Sequence, residues 1–189
     1  MIILSLFSKI KHLLSFRTFL FQCRLAKCGK KPYILKNCKF EGLRNVYIGD
    51  HFTSQEGLWL GTYEKYGDQV FHPKIVIGNE VHFSRNCHIG AINEIIIKDN
   101  VLIGSNVLIN DHSHGECNDF SQPRFRLPLV SKGKIEIEEN CWICDNVVIL
   151  GNVKIGKNCI IGANSVVNKS FPDNCLIAGN PAKIIKTYE

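Results

Sequence analysis

Residues 137–167 read IEENCWICDNVVILGNVKIGKNCIIGANSVV, and an aliphatic residue returns there at every sixth position. These residues are Ile137, Ile143, Ile149, Ile155, Ile161 and Val167. Four places after each of the first five comes a smaller side chain, at Cys141, Val147, Val153, Cys159 and Ser165. A period of six does not fit a helix of 3.6 residues per turn, but it fits a short strand plus a turn, with positions i and i+4 on one face. The stretch therefore predicts a series of six-residue strand-and-turn units.

The same period continues upstream, with one shift of two residues after Ile95. Its members are Ile77, Phe83, Ile89, Ile95, Ile97, Ile103 and Ile109, preceded by a weaker version near Phe40 and Val46. Corner residues recur beside them, namely Gly78, Gly104, Gly156 and Gly162, followed by Asn79, Asn106, Asn158 and Asn164. Such residues tolerate the left-handed backbone that corners need. Three units would close one triangular coil, and coils stacked about 4.8 Å apart would bury the aliphatic rows that a single coil leaves exposed.

Composition is that of one globular domain. The chain has 189 residues, of which 45% are hydrophobic and 21% charged, and its formal charge of +6 favours an anionic partner. No nucleic-acid-binding signature is present, so nucleic acid is not expected as a partner. The cysteine count of nine is odd, and the period already assigns Cys38, Cys87, Cys141 and Cys159 to small inward positions. The single Cys141–Cys144 pair therefore gives little support to a redox or zinc site.

Residues 1–35 form a separate segment, which we expect to be helical. Apolar residues at helical spacing, such as Leu6 and Ile10, alternate with Lys9, Lys11 and Arg17. Two interpretations remain open: this helix packs on its own domain, or residues 1–28 lie on an anionic membrane surface. The chain has no run of 18 apolar residues, and the N-terminus does not read as a cleaved signal peptide.

Two stretches resemble a known family. CWICDNVVILGNVKIGKNCIIGANSVV at 141–167 and IAGNPAKIIK at 177–186 resemble the hexapeptide-repeat acyltransferases, in particular the maltose/galactoside-type and polysaccharide O-acetyltransferases. The resemblance implies an all-β fold, a left-handed parallel β-helix over residues 36–187 with a short C-terminal tail, and a homotrimer with active sites between neighbours. It also implies acetyl-CoA as acyl donor, no metal requirement and a cytoplasmic location. Cys144 stands where the family commonly has Gly, and Gly151-Asn152 where it commonly has Pro-Gly.

The rhythm stops after Ile109 and resumes at Ile135, which leaves a polar excursion over residues 110–134. In the resembling enzymes such a loop places a histidine beside the acceptor. A neutral imidazole can take the proton of a hydroxyl as its oxygen attacks a thioester. We expect His112 to be this base, with His114 as the alternative, and Asp111 or Glu116 to hold its other nitrogen.

Other site residues follow from the resemblance by position. The donor would meet Trp142, Cys144, Ala163, Lys169, Lys183 and Lys186. The acceptor would meet Ser84, His88, Asn93 and Arg124. Cys117 as a nucleophile fits this scaffold poorly, because its usual mechanism has no acyl-enzyme.

The sequence thus favours an acetyl-CoA-dependent O-acetyltransferase acting on a sugar hydroxyl of a cell-surface polysaccharide or its precursor. The alternative within the class is N-acetylation of an amino-sugar nucleotide. A zinc enzyme of the γ-carbonic anhydrase type, which would draw on His82, His88, His112 and His114, and a β-helix scaffold without catalysis are less favoured.

Overall fold

The computed structural model describes residues 16, 18–116 and 118–189 of the chain. Most of the predicted N-terminal helix therefore lies outside the described residues, although residues 18–22 are helical. The first strand begins at Lys27, so the regular coil starts upstream of the predicted boundary at residue 36.

Three sheets of parallel strands form the walls of a prism. Numbered in chain order, the strands of sheet A are β1 (Lys27–Cys28), β4 (Val46–Ile48), β9 (Lys74–Ile77), β12 (Glu94–Ile97), β17 (Ile135–Ile137) and β20 (Val153–Ile155). Those of sheet B are β2 (Tyr33–Ile34), β5 (Thr53–Ser54), β10 (His82–Phe83), β13 (Leu102–Ile103), β18 (Trp142–Ile143), β21 (Ile160–Ile161), β23 (Cys175–Ala178) and β24 (Lys183–Thr187). Those of sheet C are β3 (Lys39–Glu41), β6 (Trp59–Thr62), β11 (His88–Ala91), β14 (Leu108–Asn110), β19 (Val148–Leu150) and β22 (Val166–Val167). Only β24 runs antiparallel to its neighbour in these sheets.

The inward positions of each sheet stack residue on residue. In sheet B, Ile103 pairs with Ile143, and Ile143 pairs with Ile161. All three are fully buried, and such burial stabilises the fold by about 1.5–3 kcal/mol per side chain. The predicted small inward positions are also confirmed, since Cys141 and Cys159 are buried. Cys38, in the first coil, is only half-buried.

The corners use asparagine for the left-handed backbone. Asn106, Asn158 and Asn164 have φ of 58°, 56° and 60°. At the Asn79 corner, the residue with positive φ is Glu80, one place later than predicted. Gly104 serves a different purpose, because a Cβ there would lie 2.7 Å from the backbone nitrogen of Asp145 in the next coil.

Two hairpins interrupt the prism. Coils without a hairpin advance by 16 to 20 residues, as from Ile143 to Ile161 (18), but the coil from Ile103 to Ile143 advances by 40. The extra length of that coil is the predicted excursion, which contains β15 (His112–His114), a 3₁₀ turn (Arg124–Arg126) and β16 (Leu129–Ser131). The coil from Ser54 to Phe83 advances by 29 and contains a second hairpin, β7 (Lys65–Tyr66) and β8 (Gln69–Val70).

The N-terminal end of the prism is closed by aromatic rings. Phe21, on the described helical turn, is 2% exposed and lies 4.6 Å from Phe40, centroid to centroid. A further 3₁₀ turn (Leu43–Asn45) follows in the second coil. Within the described part of the chain, no helix has the length and apolarity needed to span a membrane.

Candidate active site

Both hairpins rise from the same edge of the prism and enclose a cavity of about 350 Å³. Its lining combines imidazole, phenol, amide and ammonium groups with one aliphatic wall. The lining residues are Tyr63, Lys65, Tyr66, His88, Asn110, His112, Ser113, His114 and Leu129.

His112 is held from behind by a buried carboxylate. Its Nδ1 lies 3.0 Å from Oδ1 of Asp111, whose side chain is fully buried. That carboxylate also accepts the backbone N–H groups of Ile92 at 3.0 Å and of Asn93 at 2.8 Å. An ionised carboxylate can only accept hydrogen bonds, so Nδ1 of His112 carries the proton that it donates to Asp111. Nε2 is then the basic nitrogen.

His114 is held by a neutral group instead. Its Nδ1 lies 3.2 Å from the hydroxyl of Tyr66, which donates its own hydrogen to the carbonyl of Phe125 at 2.6 Å. The phenol oxygen can therefore only accept from His114. Nε2 of His114 is also left basic, but no carboxylate stabilises the imidazolium that proton transfer would create.

His88 contributes a buried ring nitrogen that has no hydrogen-bond partner among the described residues. Its ring stacks on Trp59 with centroids 4.4 Å apart, and the nitrogen without a partner is Nε2. Burial, assisted by the nearby His112, lowers the pKa of His88. The ring is thus neutral at pH 7, and its unpartnered nitrogen is available to a bound molecule.

The predicted acceptor residues divide into two groups. His88 lines the cavity, while Asn93 contributes through its backbone N–H to Asp111. Ser84 and Arg124 are not among the lining residues. Ser84 lies at the turn that follows β10 of sheet B, and Nη1 of Arg124 donates to the carbonyl of Glu116 at 2.6 Å.

The predicted donor residues all lie on later coils, as the resemblance implied. Trp142 stands outward on sheet B with 48% of its surface exposed, and Cys144 follows at the next turn. The N–H of Cys144 already donates to the carbonyl of Ile161 at 2.9 Å, so that group is not available to a ligand. Burial raises the pKa of the Cys144 thiol.

The remaining donor residues are solvent-facing. Ala163 is exposed at the corner after β21. Lys169 lies over the ring of Phe171, and Lys186 lies over that of Tyr188. Lys183 begins β24.

Of the four histidines considered for zinc, His88, His112 and His114 line the cavity and His82 does not. His82 is on sheet B, where its Nδ1 lies 2.6 Å from Oγ1 of Thr53, away from the cavity. Among the described residues, no three His, Cys, Asp or Glu side chains are placed to share a metal ion.

The second hairpin contributes site residues that the sequence pattern did not predict. Tyr63, Lys65 and Tyr66 line the cavity from a segment that had not been recognised as an excursion. The available signal was the loss of the six-residue rhythm between Leu60 and Ile75, in the upstream region where the repeat is weakest.

The geometry suits proton abstraction from a small polar molecule. One imidazole presents a basic Nε2 with a carboxylate behind it, and amide, phenol and hydroxyl groups surround it. Such a pair can remove a proton from a hydroxyl while the carboxylate stabilises the imidazolium.

Comparisons with known proteins identify the family of the chain. Residues 134–169 match the family described as bacterial transferase hexapeptide (six repeats). The chain is 33% identical over 184 residues to WbbJ of Escherichia coli (strain K12), named as a lipopolysaccharide biosynthesis O-acetyl transferase, covering 95% of this chain and 86% of that protein. It is 33% identical over 135 residues to the galactoside O-acetyltransferase of Lactococcus lactis subsp. lactis (strain IL1403), covering 67% of this chain and 61% of that protein.

A solved structure extends the similarity to the fold. The hexapeptide-repeat containing acetyltransferase VCA0836 of Vibrio cholerae, complexed with acetyl coenzyme A, superposes with a TM-score of 0.65 at 25% identity, covering 93% of this chain and 78% of that one. The all-β, left-handed parallel β-helix implied by the sequence is thereby confirmed.

Proposed function

The chain belongs to the bacterial hexapeptide-repeat transferase family, and we propose that it acetylates a sugar hydroxyl of a cell-surface polysaccharide or of its precursor. It is an acyltransferase with acetyl-CoA as donor. The Asp111–His112 pair is the observation that supports a hydroxyl as the acceptor group. A hydroxyl is a poor nucleophile at neutral pH, and this pair provides the base that it needs.

The proposed transfer is direct. Nε2 of His112 takes the hydroxyl proton as the acceptor oxygen attacks the thioester carbonyl, and Asp111 stabilises the imidazolium. When the tetrahedral intermediate collapses, the carbon–sulfur bond breaks and the same imidazolium returns its proton to the leaving sulfur. Asn110 and Ser113 are placed to orient sugar hydroxyls, and His88 offers its unpartnered Nε2.

A homotrimer is part of this proposal, and the outward faces of the sheets support it. On sheet B, Leu102, Trp142 and Ile160 stack in one outward column. Sheet C presents Leu108, Val148 and Val166 in the same way. Sheet A is mixed, since its outward column runs from Tyr47, Val76 and Ile96 to Glu136, which forms an ion pair with Lys134 at 2.9 Å. Two unlike apolar faces suit a head-to-tail ring, in which B of one protomer meets C of the next.

We place the enzyme in the cytoplasm, where its donor is made, and at the membrane surface through its basic N-terminal segment. Phe21 is buried in the prism, whereas Arg24 and Lys27 of the same segment are exposed. Replacing Leu6, Phe7 and Ile10 with serine should reduce cosedimentation with anionic vesicles; unchanged cosedimentation would reject membrane association.

The acceptor is tested by a screen with labelled acetyl-CoA. Neutral sugars, uronic acids, sugar phosphates and amino sugars are offered in parallel, and products are tested for alkaline lability, which distinguishes esters from amides. Ester products support the proposal. Amide products alone would replace it with N-acetylation.

A further inference from the structure

The acceptor cavity contains one permanent positive charge. Among the described residues that line it there are three imidazoles and the ammonium of Lys65, but no carboxylate side chain. Asp111 lies behind His112 and is fully buried, so it does not face a bound molecule. The lining of the cavity therefore has a net positive charge.

Lys65 differs from several other lysines of the chain in that no carboxylate of the described residues neutralises its ammonium. Lys74, Lys134 and Lys154 each form an ion pair with a glutamate. Lys65 has no ion-pair partner in the part of the chain that the structure describes. The neighbouring Glu64 is not available to it, because that carboxylate is bonded to Arg44 and to Nδ2 of Asn45.

The strand that carries Lys65 is fixed relative to the catalytic loop. The next residue, Tyr66, donates its hydroxyl hydrogen to Phe125. Gln69, on the paired strand, bonds both backbone groups of Leu129, at 2.7 and 3.0 Å. The backbone of Lys65 is thus held beside the loop of His112, and its exposed side chain lies in the lining of the same cavity without an ion-pair partner among the described residues.

The cavity continues past Lys65. Lys65 and Tyr63 also line a second cavity, of about 510 Å³, whose other charged residues are Arg24, Glu41 and the Arg44–Glu64 pair. A molecule larger than one sugar can therefore extend from His112 across Lys65.

We propose that the acceptor carries an anionic group and that Lys65 binds it at the junction of the two cavities. This inference rests on the proposed function and narrows its acceptor to acidic sugars. The shared chemistry is a negatively charged oxygen group, which a uronic acid supplies as carboxylate and a sugar phosphate as phosphate. A charge-assisted hydrogen bond to the ammonium fixes the sugar so that a nearby hydroxyl meets Nε2 of His112.

The test compares matched acceptors of the same hexose: the neutral methyl glycoside, its uronic acid and its 6-phosphate. With the full-length enzyme, kcat/KM should be about tenfold higher for an anionic member than for the neutral one, as expected for one charge-assisted hydrogen bond. Lys65→Ala should remove that preference. Lys98→Ala, on an exposed turn of sheet A, is the matched control and should keep it.

Comparison of the uronic acid with the 6-phosphate shows whether the site binds a carboxylate or a phosphate. Only the group that Lys65 binds should lose its higher kcat/KM in Lys65→Ala. Equal or better transfer to the neutral glycosides, or a preference that survives Lys65→Ala, would overturn the anionic acceptor and leave sugar O-acetylation standing. Transfer to amino groups alone would overturn the proposed function itself.

Discussion

The side-chain amide of Gln69 bonds both backbone groups of Leu129, as the backbone of a neighbouring strand would. Its Oε1 accepts the N–H of Leu129 at 2.7 Å, and its Nε2 donates to the carbonyl at 3.0 Å. These residues are 60 positions apart and lie on different hairpins. The loop that carries His112 is thus held in place by an excursion from an earlier coil.

Gln69→Leu should therefore impair catalysis more than stability. It leaves both backbone groups of the buried Leu129 without partners, at a cost of about 1–3 kcal/mol that falls on the loop rather than on the prism. We expect kcat to fall about tenfold, and hydrogen exchange at the Leu129 amide to accelerate. Gln55→Leu, at an exposed corner, is the control. Faster exchange with an unchanged kcat would show that the loop does not need this support.

Replacing each loop histidine separates their roles. His112→Ala should lower kcat about 10²–10⁴-fold, because a general base is lost, while the affinity for acetyl-CoA by calorimetry changes little. His114→Ala should lower it about tenfold or less, since the tyrosine behind it cannot stabilise an imidazolium as Asp111 does. If His114→Ala is the inactive variant and His112→Ala is active, the assignment is reversed.

His88 should make stability depend on pH. Burial lowers the pKa of His88 below its ordinary value of 6.5. As pH falls through about 6.5, the unfolded chain binds a proton that the folded chain resists, so this contribution to stability is lost on acidification. The free energy of unfolding should fall less steeply between about pH 7.5 and 5.5 in His88→Gln than in the wild type. Urea denaturation at both pH values measures this change. An equal fall in the free energy of unfolding in the two proteins would contradict the expectation.

The sequence predicted those features that the repeat controls. A residue such as Ile143 must face inward at every coil, so its period reveals the stack, and the break after Ile109 reveals the loop that carries His112. The Asp111–His112 pair is also local, since adjacent residues can meet without knowledge of the fold.

Features set by distant coils were not predictable in the same way. Ser84 and His88 are four residues apart, but the chain turns a corner between them and only His88 faces the cavity. The contacts of Gln69 and Tyr66 depend on two excursions of unequal length meeting above one edge of the prism. No period in the sequence encodes that meeting.

The proposed homotrimer leads to a prediction with a closely matched control. Leu102 and Tyr47 are both outward residues with similar exposure, 45% and 38%. Leu102 lies between His82 and Trp142 in the outward column of sheet B, whereas Tyr47 lies on sheet A with the ammonium of Lys74 over its ring. An aspartate buried in an apolar interface without a partner is strongly unfavourable, but one facing solvent is tolerated.

Leu102→Asp should therefore shift the molar mass in solution from three chains toward one, while Tyr47→Asp should not. Light scattering after size exclusion measures the mass, and far-UV circular dichroism checks that both variants keep their β-structure. Because Trp142, which we predict to meet the donor, lies next to Leu102 on sheet B, dissociation should also lower acetyl transfer. If both variants behave as the wild type does, sheet B is not the face on which protomers meet. If Tyr47→Asp alone dissociates, the interface lies on sheet A.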